Sequence, residues 1–330
     1  MEYRFLGKTG VRVSKLAMGT MSFGGEADET TAAAMFGRCR DAGVNLFDCA
    51  DVYQGGRSEE ILGRLIEGCR DEVVVATKAY FPTSSDPNAR GSSRYHLVRA
   101  VEASLRRLGT DRIDLFFLHR HDDMTALEET LRAVETLVNQ GKILYPAVSN
   151  FSAWQTMKAL GLAELRGLQP IVATQPMYNL AKRQAEVEIL PSALSEGLAV
   201  IPYSPLGGGL LTGKYGADKR PDEGRLVDNL MYSTRYSAQL NYEIAEAFTA
   251  LANERGVHPV SLAIAWVAAH PAVTAPLIGA RDVAQLEPAL ASDEVAIDDE
   301  LYRAIAALSP TPPPATDRNE ETSEHNFGSR

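Results

Sequence analysis

Eight short apolar runs recur along the chain, and each is followed by a segment whose apolar positions have helical spacing. The runs are nearly continuous in Val, Ile, Leu and Ala rather than alternating with polar residues. Runs of this kind are typical of strands buried on both faces of a parallel sheet. In chain order they are KLAMGT (15–20), NLFD (45–48), VVVATK (73–78), IDLFFLH (113–119), KILYPAVSN (142–150), PIVATQ (170–175), LAVIPYSPL (198–206) and VTAPLIG (273–279).

The segments between the runs carry helix signals, and several end at a glycine just past the last apolar position. The pattern predicts helices over 29–42, 58–67, 93–108, 125–139, 152–160, 187–196, 242–255, 283–291 and 298–308. Eight strand–helix units predict an α/β fold, a closed (β/α)8 TIM barrel with an extra C-terminal helix. Residues 3–15 alternate around a Lys-Thr-Gly turn, which predicts an N-terminal β-hairpin covering one end of the barrel.

The alternative is an open doubly wound sheet, which carries a glycine-rich dinucleotide fingerprint after its first strand. The glycines after the first run, at 19, 24 and 25, have the wrong spacing. We therefore expect residues 1–310 to form a single barrel domain and the Pro-rich, then polar, residues 311–330 to be an extended or disordered tail. Pro146 lies inside the fifth run and predicts a local bulge, because proline removes a ladder hydrogen bond.

Composition narrows the range of partners. The 43 acidic and 33 basic residues give a net charge of −10, which argues against nucleic acid or an anionic membrane as the main partner. The chain has no apolar run of transmembrane length, and its first ten residues lack the layout of a secretory signal. Cys39, Cys49 and Cys69 show no CxxC spacing, which favours reduced thiols in a cytoplasmic protein.

Polar residues stand where the predicted strands end. Asp48 ends the second run, with Tyr53 five positions later, Lys78 ends the third and His119 the fourth. Because active sites of barrels lie at the carboxyl ends of the strands, we expect these four side chains to meet. An ammonium favours a phenolate and lowers the pKa of a neighbouring phenol, and a carboxylate keeps the ammonium charged. The set predicts a phenol that donates a proton at neutral pH.

Each of these residues alone has a structural explanation. Asp48 fits a turn cap, Lys78 a cation at the surface and His119 a hydrogen-bonded barrel histidine. Their joint placement favours an active site, and later strand ends add Ser149-Asn150, Gln175 and Tyr203-Ser204.

Several stretches make the chain resemble the aldo-keto reductases over residues 3–308. No single stretch identifies the family. The segment from Asp48 to Tyr53, the Lys and His that follow it and the later stretches are specific when they occur together in this order. The matching stretches are FLGKTGVRVSKLAMGTMSFG, VNLFDCADVYQGGRSEEILG, VVVATK, RLGTDRIDLFFLHRHD, GKILYPAVSNFSAWQ, QPMYNL, PYSPLGGGLLTGKY and LIGARDVAQLE.

The resemblance implies an oxidoreductase that reduces aldehydes or ketones to alcohols with hydride from a nicotinamide. By matching position, Tyr53 is the general acid, Lys78 and Asp48 tune and orient it, and His119 places the carbonyl. This agrees with the reading of the strand ends, because a carbonyl that accepts hydride needs a donor for its developing negative charge.

The resemblance also implies a set of cofactor-binding residues. Ser149, Asn150 and Gln175 hold the nicotinamide amide and Tyr203 stacks on the ring, while Arg281 meets a 2′-phosphate and so favours NADPH over NADH. The implied set is Gly19, Thr20, Met21, Asp48, Ser149, Asn150, Gln175, Tyr203, Ser204, Pro205, Leu206, Gly208, Leu210, Lys214, Ile278, Gly279, Ala280, Arg281 and Gln285. Pro288 and Ala289 depart from the acidic residue and asparagine that the family usually offers to the adenine.

Two other functions compete with this reading. His119-Arg-His121 resembles part of a metal site in barrel hydrolases, but the remaining histidines do not fall at strand ends, so we expect no metal. The same barrel also resembles the cofactor-binding regulatory subunits of potassium channels, which bind NADPH and turn over slowly.

The substrate is expected to be a small aldehyde or ketone, including sugar-derived ones. Loops 22–28, 80–92, 120–125 and 207–236 and the C-terminal tail are expected to set its identity, and the sequence gives no indication of the oligomeric state. Aromatic residues in or beside these loops are candidates for a pocket wall or for packing: Tyr80, Phe81, Trp154, Tyr232 and Tyr236.

Overall fold

The computed structural model describes residues 1–318 and 320. It begins with the predicted antiparallel hairpin, formed by β1 (Tyr3–Phe5) and β2 (Arg12–Ser14). Leu6 and Val13 of this hairpin are fully buried against the residues inside the barrel. The hairpin therefore closes one end of the barrel.

Eight parallel strands follow in the order of the predicted runs, and the (β/α)8 fold is confirmed. Neighbours in the sheet are neighbours in sequence, with the last strand beside the first. Backbone hydrogen bonds from Thr274 to Val200 (2.8 Å) and from Leu277 to Pro202 (2.9 Å) join the two remaining edges. The strands are β3 (Ala17–Gly19), β4 (Leu46–Asp48), β5 (Val74–Ala79), β6 (Ile113–Leu118), β7 (Ile143–Ser149), β8 (Ala173–Gln175), β9 (Ala199–Val200) and β10 (Leu277–Ile278).

Twelve α-helices lie in the described part of the chain, and those that follow the strands pack around the sheet. The extra C-terminal helix is present as the last of them. They are α1 (Glu29–Asp41), α2 (Arg57–Ile66), α3 (Arg94–Leu108), α4 (Leu127–Asn139), α5 (Ala153–Arg166), α6 (Ile189–Glu196), α7 (Arg225–Asp228), α8 (Leu230–Arg235), α9 (Gln239–Glu254), α10 (Pro259–Ala269), α11 (Val283–Leu290) and α12 (Asp299–Ala306).

One predicted helix ended too early, and the helices α7, α8 and α10 were not predicted. Helix α5 does not stop at Gly161 but continues to Arg166 and ends at Gly167, whose φ of 61° makes it the true left-handed cap. A glycine inside a helix costs only about 1 kcal/mol, which the Ser152–Gln155 capping box and packing offset. Helix α10 was not predicted, because it is buried on nearly all sides and shows no amphipathic period.

The bulge predicted at Pro146 is also absent. The register of β7 against β6 is unbroken from Ile113↔Ile143 to Leu118↔Val148. The Pro146 carbonyl accepts from Val172 at 2.9 Å, one residue before β8 begins. The missing N–H of the proline therefore falls outside the paired part of the neighbouring strand, where it breaks no ladder bond.

Side-chain alternation along the strands decides what faces the inside of the barrel. Residues that pack together inside include Leu46, Ala76, Leu115, Ala147 and Ala173. Because strand side chains alternate between the two faces, the residues two or four positions later face inward as well. Those inward positions at the carboxyl ends are Asp48, Lys78, His119, Ser149 and Gln175.

The remaining tail prediction lies partly outside the described residues. Residues 311–318 contain no helix or strand, whereas residues 319 and 321–330 lie outside the part that the structure describes. Within the described residues, no helix combines the length and the apolar character needed to cross a membrane.

Docking of the hairpin depends on Gly7. Its φ is +56°, and an added Cβ would lie 2.8 Å from the carbonyl oxygen of Val172 and 2.9 Å from that of Gly197. We expect Gly7→Ala to lower the free energy of unfolding by at least about 3 kcal/mol, because left-handed strain and two backbone collisions add. Chemical denaturation measures the change.

The matched control is Gly10→Ala in the same hairpin. Gly10 also has a positive φ, of +80°, but an added Cβ has no neighbour within 4 Å among the described residues. Gly10→Ala should lower the free energy of unfolding only by the cost of placing alanine in the left-handed region, about 1–2 kcal/mol. Equal losses in the two variants would contradict the close approach at Gly7.

Candidate active site

Asp48 and Lys78 form a buried ion pair at the carboxyl ends of β4 and β5. Lys78 Nζ donates to Asp48 Oδ2, and also to the carbonyl oxygen of Cys49 at 2.6 Å. Gln175 Nε2 donates to the other carboxylate oxygen of Asp48 at 3.0 Å. Burial alone would lower the pKa of Lys78, but Asp48 and Tyr53 outweigh it and the pKa is raised. Lys78 is therefore charged at neutral pH.

Tyr53 lies beside this ion pair. Lys78 Nζ is 5.2 Å from the centroid of the Tyr53 ring, and the His119 ring stands edge-on at 6.2 Å between centroids. Lys78 lowers the pKa of this phenol, as predicted, but a larger effect opposes it. Burial raises the pKa of Tyr53 to about 12 and outweighs the opposing effect of Lys78. The phenol is therefore fully protonated at neutral pH.

His119 is the fourth member of the group and is uncharged. Burial, and then the positive charge of Lys78, lowers the pKa of His119 to about 3. Its Nδ1 is buried and has no hydrogen-bond partner within the described residues. Phe81 packs edge-on against the imidazole at 4.9 Å between ring centroids. The structure thus brings all four residues predicted to be catalytic together.

The predicted nicotinamide residues form one hydrogen-bonded chain beside the ion pair. Ser149 Oγ donates to the Gln175 carbonyl oxygen at 3.0 Å, and Asn150 Nδ2 donates to the His119 carbonyl oxygen at 2.9 Å. The Tyr203 hydroxyl donates to Asn150 Oδ1 at 2.8 Å. Asn150 has a φ of 55°, a sparsely populated conformation for a residue with a side chain. These amide and hydroxyl groups offer the donors and acceptors that a carboxamide needs.

A group of cations lies in the segments that follow β9 and β10. Burial, and then the charges of Arg281 and Arg225, lowers the pKa of Lys214, so these three residues lie close enough to repel one another. Glu26 is the counter-charge: its Oε2 is 3.1 Å from Arg225 Nη2 and its Oε1 is 3.9 Å from Arg281 Nη1. The donor set suits a phosphorylated ligand.

The predicted cofactor residues at the end of β3 lie beside Asp48 of the buried ion pair. Gly19 is in register with Asp48, and the Thr20 backbone N–H donates to the Asp48 carbonyl oxygen at 2.9 Å. The Met21 carbonyl oxygen accepts from Gln54 Nε2 at 3.1 Å. A Cβ at Gly19 would lie 3.4 Å from the carbonyl oxygen of Ile278, so the ends of β3 and β10 approach closely.

The predicted residues after β10 connect back to the same loop. The Ala280 carbonyl oxygen accepts from Ser22 Oγ at 2.7 Å, and a Cβ at Gly279 would lie 3.8 Å from the carbonyl oxygen of Gly19. The backbone N–H of Arg281 donates to Gln285 Oε1 at 3.3 Å. Gln285 therefore orders the Arg281 backbone from the first turn of α11.

The predicted cofactor residues in the loop after β9 are marked mainly by their backbone conformation. Ser204 and Gly208 have φ values of 56° and 68°, so the chain turns sharply there. Leu210 is fully buried, and Leu206 packs against two groups of core residues; both side chains fix the loop, and Pro205 beside them is buried.

Pro288 and Ala289, which depart from the family pattern, both contribute to the packing of α11. Ala289 is 1% exposed, and the Pro288 carbonyl oxygen accepts from Ser261 Oγ at 2.6 Å. Helix α11 is therefore fastened to α10 at the place where the adenine residues are usual.

The aromatic candidates separate into two groups. Phe81 touches His119 and is itself packed by Tyr80 at 5.3 Å, and Trp154 lies 6.1 Å from the His121 ring. Tyr236 is fully buried and Tyr232 nearly so, which identifies those two as packing residues.

A metal centre of the hydrolase kind has no ligand set in residues 1–318 and 320, where no three His, Cys, Asp or Glu side chains come together. His121 Nδ1 is 3.0 Å from Asp123 Oδ1, and His119 faces aromatic rings.

Two features of the site were not predicted. Glu26 and Arg225 form an ion pair between distant parts of the chain, and no local motif signals such a pair. Asp51 is 2% exposed, and neither of its carboxylate oxygens has a hydrogen-bond partner in the described part of the chain. Burial, and then the charge of Glu59, raises the pKa of Asp51 to about 8. An acid inside the segment between Asp48 and Tyr53 was the available sequence signal.

Comparison with known proteins finds matches over most of the chain. The sequence model described as Aldo/keto reductase family matches residues 15–310. A Bacillus subtilis (strain 168) protein named uncharacterized oxidoreductase YrpG is 40% identical, over 94% of this chain and 97% of that protein. A probable voltage-gated potassium channel subunit beta of Arabidopsis thaliana is 37% identical, over 87% of this chain and 89% of that protein. Versiconal hemiacetal acetate reductase of Aspergillus parasiticus is 30% identical, over 91% and 94%.

The unpartnered Asp51 should make stability depend on pH. Its pKa rises on folding from 3.8 to about 8, so the folded state holds the proton more tightly and stability falls as the pH rises between these values. We expect the stability of Asp51→Asn, relative to that of the wild type, to be greater at pH 9 than at pH 5 by more than about 1 kcal/mol. Denaturation at the two pH values measures this gain, with the exposed Asp41→Asn as control. A gain that is the same at both pH values would contradict the buried neutral acid.

Proposed function

The chain belongs to the aldo/keto reductase family, and on that premise we propose that it is an NADPH-dependent reductase of small aldehydes and ketones. We infer further that residues 1–310 act as one barrel domain. The observation that carries the proposal is the convergence of a charged Lys78–Asp48 pair, a protonated Tyr53 and a neutral His119 at one rim.

The residues that would hold the cofactor belong to the hydrogen-bonded chain beside the ion pair and to the group of cations. Ser149, Asn150 and Gln175 would bind the carboxamide, and Lys214 with Arg281 would bind the phosphates. When bound, NADPH supplies a hydride to the carbonyl carbon.

Tyr53 would act as general acid. As the carbonyl carbon accepts two electrons, its oxygen takes the phenolic proton, which leaves an alcohol and a tyrosinate that regains its proton from solvent. A pKa of about 12 keeps the proton on Tyr53 until the oxygen becomes more basic than the phenolate. The Lys78 charge stabilises the negative charge that then remains on Tyr53. His119, as a neutral imidazole, would orient the carbonyl oxygen without adding charge.

A second candidate is a slowly turning NADPH-binding regulatory subunit, which the similarity to proteins named as potassium channel beta subunits favours. A panel of aldehydes and ketones with NADPH consumption followed over many turnovers separates the two. Sustained consumption supports the reductase, whereas tight binding with less than one turnover per minute supports the second candidate.

The proton donor is tested by Tyr53→Phe. We expect kcat to fall by about 10²–10⁴-fold, because the general acid is removed, while the Kd for NADPH stays within about twofold, because the phenol hydroxyl is not among the cofactor groups. Kinetics and fluorescence titration measure the two quantities. The exposed Tyr95→Phe is the matched control, and wild-type kcat in Tyr53→Phe would contradict the assignment.

Cofactor preference is tested by Arg281→Ala. We expect the Kd for NADPH to rise by at least about tenfold, the value of one hydrogen bond to a charged group, and the Kd for NADH to change little. Arg303→Ala, on the exposed face of α12, controls for loss of a surface arginine. Equal weakening of both cofactors would show that Arg281 does not read the 2′-phosphate.

A further inference from the structure

The turn that follows Tyr53 has an unusual backbone. Gln54, Gly55 and Gly56 have φ values of 50°, 63° and 93°, three successive residues in the left-handed region. Gln54 lacks the conformational freedom of glycine, so this backbone persists only where surrounding groups determine it. The position of the Tyr53 side chain therefore depends on what holds residues 53–56.

One side of the turn is held by the loop after β3. Gln54 Nε2 donates to the Met21 carbonyl oxygen at 3.1 Å. A Cβ added to Gly25 would collide with the Gln54 side chain, so that side chain lies flat against the loop backbone.

The other side is held by Arg107, which projects from the outer helix α3. A Cβ added to Gly56 would lie 2.8 Å from Arg107 Cδ, so the arginine stem lies directly on the turn. Its Nε donates to Glu59 Oε2 at 2.6 Å, and the Glu59 side chain is fully buried.

Glu59 links Arg107 to strand β5 of the barrel. Its Oε1 accepts from Thr77 Oγ1 at 2.6 Å, and Thr77 precedes Lys78 on β5. The backbone N–H of Asp51 donates to the Lys78 carbonyl oxygen at 3.0 Å. The segment that carries Tyr53 is thus fixed to β5 at its start and clamped by Arg107 at its end.

We propose that Arg107 is a positioning residue for Tyr53: it crosses Gly56, pairs with buried Glu59, and so fixes the turn 53–56 against the strand that carries Lys78. The proposal rests on the proposed function, because it concerns the proton donor of that reaction. Arg107 is remote from the reacting atoms in sequence and acts only through its neighbours.

Replacing Arg107 is expected to reduce turnover strongly, although Arg107 lies outside the active site. Loss of Arg107 leaves the Glu59 carboxylate buried without its cation, which disfavours this packing of the turn. A displacement of about 1 Å in a catalytic group reduces turnover by roughly 10²-fold. The effect should fall on kcat, since the residues proposed to hold the carboxamide and the phosphates lie on other strands and loops.

The test compares Arg107→Met with Arg106→Met, the adjacent and exposed arginine of the same helix. A carbonyl that the wild type reduces is used to measure kcat and KM, fluorescence titration gives the Kd for NADPH, and thermal unfolding checks folding. We expect kcat to fall by roughly 10–100-fold in Arg107→Met, with KM and Kd within about twofold. Arg106→Met should match the wild type, and Arg107→Lys, which keeps a cation beside Glu59, should recover part of kcat.

The double variant Arg107→Met/Glu59→Gln removes the stranded charge and is used if the single variant does not fold. A low kcat with unchanged Kd in the folded double variant supports the proposal. Wild-type kcat in a folded Arg107 variant overturns it, and so does a parallel loss in kcat, KM and Kd, which marks a general structural defect. Absence of turnover by the wild type itself overturns the proposed function, and the positioning role with it.

Discussion

A lysine ammonium fully buried inside the barrel is the constraint on which the site depends. Such a charge is tolerated only when it is paired and hydrogen-bonded. Asp48 and the Cys49 carbonyl meet that need because β4 and β5 are neighbours in the sheet. Gln175 holds the carboxylate from the opposite side of the barrel. The ion pair therefore ties strands together and creates the electrostatic centre of the site.

Burial keeps the groups around that cation uncharged. It moves the pKa of Tyr53 upward, that of His119 downward and that of Asp51 upward. All three shifts have the same cause, since a low-dielectric environment disfavours whichever form is charged. The site at neutral pH is thus a charged pair next to neutral hydrogen-bonding groups. Negative charge that develops on an oxygen bound at this rim would be attracted by Lys78, which Asp48 holds in place.

Local pattern was enough to predict the strands, most helices and the four central residues, because buried parallel strands and their polar ends leave a direct trace in the sequence. It failed for α10, which is apolar all round, and for Gly161, where packing outweighed a local stop signal. It indicated the effect of Lys78 on the pKa of Tyr53 but not the larger effect of burial, because the depth of burial is a property of the folded chain. Contacts between Glu26 and Arg225, or between Glu59 and Arg107, join distant segments whose pairing no short motif encodes.

The two-residue alternation inside the barrel constrains how the gene can change. Losing one codon within β5 or β6 would turn Lys78 or His119 toward the outer helices, and shift every later inward position of that strand with it. Losing a codon in a connecting loop leaves that phase intact. Variation in length should therefore accumulate in the connecting loops, while the spacing from Ala76 to Lys78 and from Leu115 to His119 is expected to stay the same.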